Sequence, residues 1–406
     1  MNREGRGGIT GEILTGFLLL VAFAAPFSIA ISQMALAGAI LLRLAGFFRT
    51  PRLPRLGLEI PLLLWLGWIL LILPAATDPG ASVLHLKRWW LIPALWLIAE
   101  AASKDRARKL FFYALALGMS GVAIYGILQG FGIIDIAQEF RDMRKLPLTT
   151  NPMTAGGIMM IGSLTLLAFL ERRQNHWRTI FLALAFLLSL WTLLFIQSRA
   201  CWLGFLGGAF VLLLLRKPRL AWAIPVILAL ALVFGPAEYR SRFTSAFKPG
   251  VEYRSNWQRI HMWKTAWLIL KDHPLIGIGD RDLGEFYKQY TAEENRENVV
   301  TYRHMHSNPV MFAVLWGVPG LAFALVFLFM IPLLQWRRFR ALKTAGDRAP
   351  PDLLAWTTAG IAVWTGFMIA GLFEWYFGDA EVILLVWIII GLSLTPWEKL
   401  HENSHA

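Results

Sequence analysis

The sequence places a histidine where acid–base chemistry is possible. His306 lies directly before Ser307, Asn308 and Pro309, and Asn308 and Pro309 are residue types favoured at the cap and first turn of a helix. The positive end of a helix dipole disfavours imidazolium, and a neutral imidazole can accept a proton as a general base. We therefore predict His306 as a general base. An interfacial histidine that only caps or hydrogen-bonds is the alternative from position alone.

Two arginines are candidates for binding an anionic group beside that base. Arg199 is the sole charged residue of the tight turn 197–200 between two apolar segments, and its guanidinium fork can hold phosphate oxygens bidentately. Arg259 falls about 100° from the centre of an apolar stripe on a predicted helix over 256–271, at about 3.6 residues per turn. It can therefore face a polar cavity. For Arg199, contact with a lipid headgroup is the alternative.

Further basic residues occupy short loops on the same, external side. Lys87 and Arg88 precede a Trp pair, and another short loop contains Arg144 and Lys145. Together with a basic loop over about 238–305, they predict an anionic ligand at this face. Ordinary snorkelling beside an aromatic belt is the simpler explanation for Lys87 and Arg88. The further substrate-binding candidates are Lys87, Arg88, Arg144, Lys145 and Ser307.

Metal chemistry is not favoured by the residue pattern. Asp280 and Asp282 form an Asp-x-Asp that could hold a divalent metal, but a solvated turn is the simpler interpretation. His304 and His306 could be a zinc pair, yet no third ligand is evident near them in the sequence. The single cysteine, Cys201, excludes an intramolecular disulfide and a multi-cysteine metal site. We predict no metal and no cofactor.

The composition shows what kind of protein must position these side chains. The 406 residues are 57% hydrophobic and only 16% charged, whereas a soluble domain carries about 25% charged residues. A soluble globular enzyme is excluded, and the continuous apolar runs lack the period of two of a β-barrel. The sequence predicts an all-α polytopic membrane protein. The positive-inside rule accounts for the net charge of +13 without a nucleic acid partner.

Twelve segments are predicted to cross the membrane. Residues 1–237 would hold nine of them, residues 238–308 one large external loop with an amphipathic helix, and residues 309–406 the last three and the C-terminal tail. Twenty-two basic residues fall on the side of the N-terminus and six in the short loops opposite, which places both termini in the cytoplasm. The predicted spans are 13–32, 33–48, 57–76, 84–102, 110–132, 152–170, 180–197, 200–215, 220–237, 309–335, 354–376 and 380–395.

The predicted loop helix has apolar residues at helical spacing. The stripe consists of Trp257, Ile260, Trp263, Trp267 and Leu270. Such a stripe is typical of a helix that lies in the membrane interface. Packing of the same stripe against the membrane domain is an equally good interpretation.

Three motifs support one resemblance. His306 and Ser307 are followed, after nine residues, by Gly317-Val318-Pro319-Gly320, and Arg199 is followed four positions later by Leu203. Arg259 and a Trp in the loop helix precede a Pro-Leu-x-Gly-x-Gly run at 274–279. In these motifs the sequence resembles the O-antigen ligase family, within a superfamily that includes O-antigen polymerases and protein O-oligosaccharyltransferases. It departs from the family at 280–282, where relatives more often carry small residues.

The resemblance implies a function as well as a GT-C-like fold of about twelve spans. It implies metal-independent, inverting glycosyl transfer at the periplasmic face of a Gram-negative inner membrane, in lipopolysaccharide biosynthesis. The donor would be an O-antigen glycan on undecaprenyl pyrophosphate, and the acceptor a sugar hydroxyl of lipid A–core. His306 would be the base, and Arg199 and Arg259 would bind the pyrophosphate.

Two other functions remain open at this point. A polymerase of O-antigen or exopolysaccharide would use two lipid-linked glycans and no lipid A. A flippase for lipid-linked glycans is less favoured, because transporters usually keep ionisable groups at mid-membrane and none is predicted there.

Overall fold

The structure, a computed structural model, describes residues 3–46, 53–142, 146, 148–170, 175–245, 254–291 and 302–396. Over these ranges the regular structure is helical throughout, and strands are absent. The prediction of an all-α polytopic membrane protein is confirmed, because six helices are long and apolar enough to cross a membrane. Several shorter apolar helices accompany them, and the total of twelve spans stays a prediction.

The helices are numbered in chain order. They are α1 (Arg3–Ala24), α2 (Ile29–Ala45), α3 (Glu59–Ile72), α4 (Pro79–His85), α5 (Pro93–Ala101), α6 (Asp105–Gly130), α7 (Gln138–Asp142), α8 (Pro152–Leu170), α9 (His176–Ile196), α10 (Arg199–Arg216), α11 (Pro218–Ala221), α12 (Ala223–Phe234), α13 (Ala237–Thr244), α14 (Arg254–Asp272), α15 (Gly284–Gln289), α16 (Asn308–Ala345), α17 (Pro351–Ala370) and α18 (Ala380–Ser393). Short 3₁₀ segments lie at Leu73–Ala75, Leu86–Leu91, Gly346–Arg348 and Tyr376–Gly378.

Helices α8, α17 and α18 form the centre of the bundle. They are largely apolar on every side, and most of their residues are buried, as expected for helices surrounded by other helices. Helix α10 packs closely on α17 because it carries small residues there. A Cβ added at Gly204 would lie 2.6 Å from the Gly366 carbonyl oxygen, and one at Gly208 would lie 2.5 Å from that of Ala362. Small residues at helix contacts allow such close approach within membranes.

Some predicted spans have different ends in the structure. The predicted first span, 13–32, is wrong at its C-terminal end, since α1 ends at Ala24 and the Ser28 hydroxyl caps α2. The predicted span 84–102 is not one helix. A 3₁₀ segment precedes α5, which begins at Pro93, a residue whose ring suits the first turn of a helix and not its interior.

The loop helix is confirmed, but its packing face is not the predicted stripe. Helix α14 packs against α16 and buries Met262, Ala266 and Ile269. From the predicted stripe, Ile260 and Trp267 are exposed, Trp267 to 59%. The helix therefore packs on the bundle and turns a second apolar face outward.

Candidate active site

Two glycine-containing segments pack on each other and fix the helices that carry the site. Helix α16 departs from helical geometry at Gly317, with φ of 70°, and residues 274–279 form three backbone hydrogen bonds of 2.8–3.0 Å to that region. A Cβ at Gly317 would lie 2.2 Å from the Leu275 carbonyl oxygen, and one at Gly277 would lie 2.6 Å from that of Leu315. Both positions require glycine. The contact holds the end of α14 against α16.

His306 lies in the turn that leads into α16 and contacts a carboxylate. Its φ of 45° is rare for a residue with a side chain, and such strain persists mostly at functional positions. Its Nδ1 lies 2.8 and 3.0 Å from the two carboxylate oxygens of Glu374. Ser307 occupies the N-cap of α16, and Asn308 is its first helical residue, so the prediction of Asn308 as the cap is wrong by one position.

The ionisation of Glu374 determines that Nδ1 of His306 is the hydrogen-bond donor between the two side chains. Burial alone would raise the pKa of the Glu374 carboxyl, but the hydrogen bond from His306, the two neighbouring imidazoles and the Arg259 guanidinium bring the pKa below its ordinary value. Glu374 is therefore ionised at neutral pH and can only accept. Nδ1 of His306 therefore donates to the carboxylate, and in the neutral tautomer Nε2 would hold the lone pair that a general base needs.

Asn308 holds together the two segments that carry this pair. Its backbone N–H donates to the Gly371 carbonyl oxygen at 2.7 Å, and its side-chain oxygen accepts from the Phe377 N–H at 3.0 Å. A Cβ at Gly371 would lie 2.3 Å from the Asn308 side-chain nitrogen. The loop 371–377, with Glu374 in it, is thus fixed to the N-terminus of α16.

His304 completes a group of three potential metal ligands. Burial, with the His306 imidazole close by, lowers the pKa of His304 to about 4, and its Nδ1 accepts the His306 N–H at 3.4 Å. One ligand atom each from His304, His306 and Glu374 lies within 4.8 Å of the others. No third ligand is evident near the two histidines in the sequence, but the structure brings Glu374 to them from 68 residues further along the chain.

Helix α14 connects the two predicted arginines to the His–Glu pair. Arg259 donates through Nε to the Phe373 carbonyl oxygen at 3.1 Å, directly beside Glu374. One turn earlier, the Asn256 side-chain oxygen accepts from Arg199 Nη2 at 2.7 Å, and Arg199 Nη1 donates to Ser245 at 3.0 Å. The structure therefore brings Arg199, Arg259 and His306 into one region.

The other predicted substrate-binding residues differ in their exposure and in how close they lie to His306 and Glu374. Lys87 is exposed, and Ser307 is buried next to His306. Arg88 contacts His85 Nδ1 at 2.8 Å and lies over the Trp375 ring at 5.9 Å, which places it near the loop of Glu374. The two remaining candidates, Arg144 and Lys145, lie outside the described residues.

The Asp-x-Asp pair is divided between two environments. Asp280 is buried 3.5 Å from Arg88 Nη1, and burial raises its pKa to about 6 although the Arg88 charge opposes the shift. Asp282 is exposed and accepts from the Gly284 N–H. Among the described residues, neither carboxylate belongs to a three-ligand group, so the metal interpretation of this pair gains no support.

Glu374 is the residue that sequence reasoning missed. The predicted span 354–376 placed it at a helix end, whereas α17 ends at Ala370 and Glu374 lies in the following loop. The sequence did contain a signal. A carboxylate followed directly by Trp375, Tyr376 and Phe377 is surrounded by apolar groups and requires a partner.

A comparison with known protein families matches the part of the chain that carries the predicted site residues. Residues 184–325 match the family model described as O-antigen ligase. The matched stretch runs from α9 into α16 and contains Arg199, Arg259 and His306. No curated protein matches the sequence. This match supports the resemblance of the chain to the O-antigen ligase and polymerase superfamily.

Proposed function

We propose that this protein is an O-antigen ligase that transfers a glycan from undecaprenyl pyrophosphate to a sugar hydroxyl of lipid A–core, with inversion and without a metal. The observation that carries the proposal is the pairing of His306 with Glu374, beside Arg259 on the helix that also contacts Arg199. This arrangement would bring a base and two cations to one reacting sugar.

The His–Glu pair activates the acceptor. The acceptor hydroxyl attacks C1 of the donor sugar while its proton passes to Nε2 of His306, since Nδ1 is bound to Glu374. A new C1–O bond forms to the acceptor as the C1–O bond to phosphate breaks, which inverts the anomeric centre. Glu374 orients the imidazole and stabilises the imidazolium that results.

The arginines stabilise the leaving group. The electron pair of the broken bond goes to the pyrophosphate, and cationic donors placed where negative charge develops lower the barrier. Within the described part of the chain, Nε is the only Arg259 nitrogen that donates a hydrogen bond, so its two Nη nitrogens can grip a phosphate bidentately. Arg199, one turn away across Asn256, would contact the same diphosphate.

The proposal also includes the membrane location of the reaction and the further residues that contact substrate. The polyprenyl tail stays among membrane lipids, which accounts for a catalytic site at the end of a helical bundle. We propose twelve spans in a Gram-negative inner membrane, with the site facing the periplasm and both termini in the cytoplasm. Lys87, Arg88, Arg144, Lys145 and Ser307 would contact the diphosphate or the glycans, and no nucleic acid is involved.

Reconstituted transfer tests the proposal. The purified protein in lipid nanodiscs would receive a polyprenyl-pyrophosphate-linked glycan and lipid A–core in buffer with a chelator. We expect a lipid A–core conjugate at the same rate with and without the chelator. Elongation of the lipid-linked glycan without lipid A would show a polymerase instead. Movement of the glycan lipid across vesicles without a covalent product would show a flippase.

A further inference from the structure

The three side chains of the metal-ligand group come from two separate segments that Asn308 holds together. His306 Nδ1 lies 2.8 Å from Glu374 Oε1, and His304 Nδ1 lies 4.0 Å from the same oxygen. The two imidazole rings stand 4.3 Å apart between centroids. Both histidine side chains are partly exposed, His304 to 34% and His306 to 27%, so an ion from solution can reach them.

The ligand types and distances fit a zinc ion. Two histidines and a glutamate, with a fourth position open, form a common tetrahedral zinc set, and ligand atoms about 2.1 Å from the metal stand about 3.4 Å from one another. The observed separations of 2.8 and 4.0 Å lie on either side of that value. Small rotations of two partly exposed imidazoles would equalise them. Two imidazole ligands favour zinc over magnesium or calcium, which prefer oxygen ligands.

We propose that Zn²⁺ binds to His304, His306 and Glu374 and inhibits glycosyl transfer. The ion would replace the proton on Nδ1 of His306 and occupy the carboxylate that otherwise stabilises the imidazolium. An imidazole bound to a dication is a weaker base at its second nitrogen, so the acceptor hydroxyl loses its proton acceptor. The inhibition rests on the proposed function, whereas the binding site rests on the geometry alone.

Metal binding is tested without any activity assay. The full-length protein in detergent would be stripped with a chelator, dialysed, and titrated with Zn²⁺ by calorimetry and with Co²⁺ by visible absorption. We expect one ion per chain with a tetrahedral cobalt spectrum, and at least about tenfold weaker binding for His304→Gln. Glutamine keeps an acceptor for the His306 N–H and does not replace the imidazole as a zinc ligand.

Two further variants make the binding result decisive. Glu374→Gln removes a different ligand and should also weaken binding, which keeps the test valid if His304→Gln fails to fold. His176→Gln is the matched control, because His176 is an exposed histidine at the far end of α9 from Arg199. The absence of one-ion binding, or equal binding by wild type and both ligand variants, would overturn the proposed site.

Inhibition is measured in the transfer assay, with each variant normalised to its own rate without zinc. Wild type and His176→Gln should lose activity as the site fills and recover it with chelator, whereas His304→Gln should need about tenfold more zinc. Activation by zinc, or equal inhibition of all three proteins, would overturn the inhibitory role. If wild type shows no transfer under any condition, the proposed function is overturned, and the inhibition with it. The binding titration would still decide whether the zinc site exists.

Discussion

Two arginines at opposite ends of the bundle are held by different kinds of partner. Arg108, near the start of α6, is fully buried and donates through Nε to Asp352 at 2.8 Å and through Nη2 to Asp105. Its Nη1 donates to the Ala102 carbonyl oxygen at 3.1 Å. Asp352 begins α17 and Glu374 follows its end, so the length of a 20-residue helix, about 30 Å, separates the two regions. At this end, carboxylates of the protein itself neutralise the arginine.

Arg259 lies in the opposite situation. It is half-buried, it donates to the backbone carbonyl of Phe373, and the carboxylate of the next residue, Glu374, is bound to His306. A buried ion pair with good geometry holds its charges in place, and removal of one partner is costly. An arginine on a neutral acceptor keeps its charge available for an anion. The same residue type is therefore neutralised by carboxylates at one end of the bundle and bound to a neutral acceptor at the other.

The largest effect is expected at the base. His306→Ala should lower the transfer rate per folded molecule about 10²–10⁴-fold, which is the usual contribution of a general base, and should also lower the melting temperature because the buried Glu374 carboxylate loses its partner. Initial rates and thermal melts in nanodiscs measure both. His176→Ala is the control, and a variant at position 306 with at least half the wild-type rate would remove the histidine from the mechanism.

At the end of the bundle that contains Arg108, a substitution should cause unfolding. Arg108→Met leaves the Asp352 carboxylate buried without its cation, and breaking such a pair costs about 3–5 kcal/mol of stability. Thermal melts should show a large drop, while the transfer rate per folded molecule should stay near that of wild type. Unchanged stability, or a catalytic loss in fully folded protein, would contradict the structural role.

At the end of the bundle that contains Arg259, a substitution should reduce catalysis and leave the fold intact. Arg259→Ala removes a donor to developing negative charge and should lower transfer about 10²–10³-fold, with a melting temperature close to that of wild type. Arg259→Lys should recover only part of the rate, because an ammonium cannot reproduce a bidentate grip. If Arg259→Ala melts as early as Arg108→Met, the distinction between the two ends is wrong.

A smaller effect concerns a carboxylate at the same end as the site. Asp379 caps α18 and accepts from the Thr154 hydroxyl at 2.5 Å. Burial, reinforced by the charge of Glu381, raises its pKa to about 7 although the Thr154 hydrogen bond opposes the shift. The folded protein thus binds the Asp379 proton more tightly than the unfolded chain does. The stability that protonated Asp379 contributes at low pH is therefore lost as pH rises from about 4 to 7.

Asp379→Asn tests that dependence, because asparagine keeps the helix cap without a titrating group. We expect the wild-type melting temperature to fall more steeply than that of the variant between pH 5 and pH 7.5. Melts at a series of pH values in the same detergent measure the two slopes. Equal slopes would show that Asp379 does not titrate in this range.

The sequence predicted the parts of the fold and site that depend on local pattern. Helices α8 and α17 follow from long apolar runs, and the tight turn before Arg199 is present, with Gln197 in the left-handed region at φ of 57°. The sequence also predicted that Arg259 faces a polar region, and Arg259 does donate to Phe373 beside Glu374, but the stripe on which that prediction rested is not the face that α14 buries.

The rest depends on tertiary contacts that periodicity does not contain. Glu374 meets His306 across 68 residues, and its position depends on where α17 ends. The packing face of α14 was misjudged because Trp267 is exposed. Lipid is as apolar as a protein core, so exposure of an apolar side chain at the membrane has little cost. Two apolar faces on one helix are then indistinguishable in the sequence.

The most direct test of the central claim is a double-mutant cycle between His306 and Glu374, read as the metal-free transfer rate of purified protein. If Glu374 acts by orienting the His306 imidazole, Glu374→Gln should lower the wild-type rate severalfold or more. It should then have no further effect in a His306→Ala background, since residues that act as a unit are not additive. Fully additive losses would contradict the account, because Glu374 would then act independently of the histidine that it contacts.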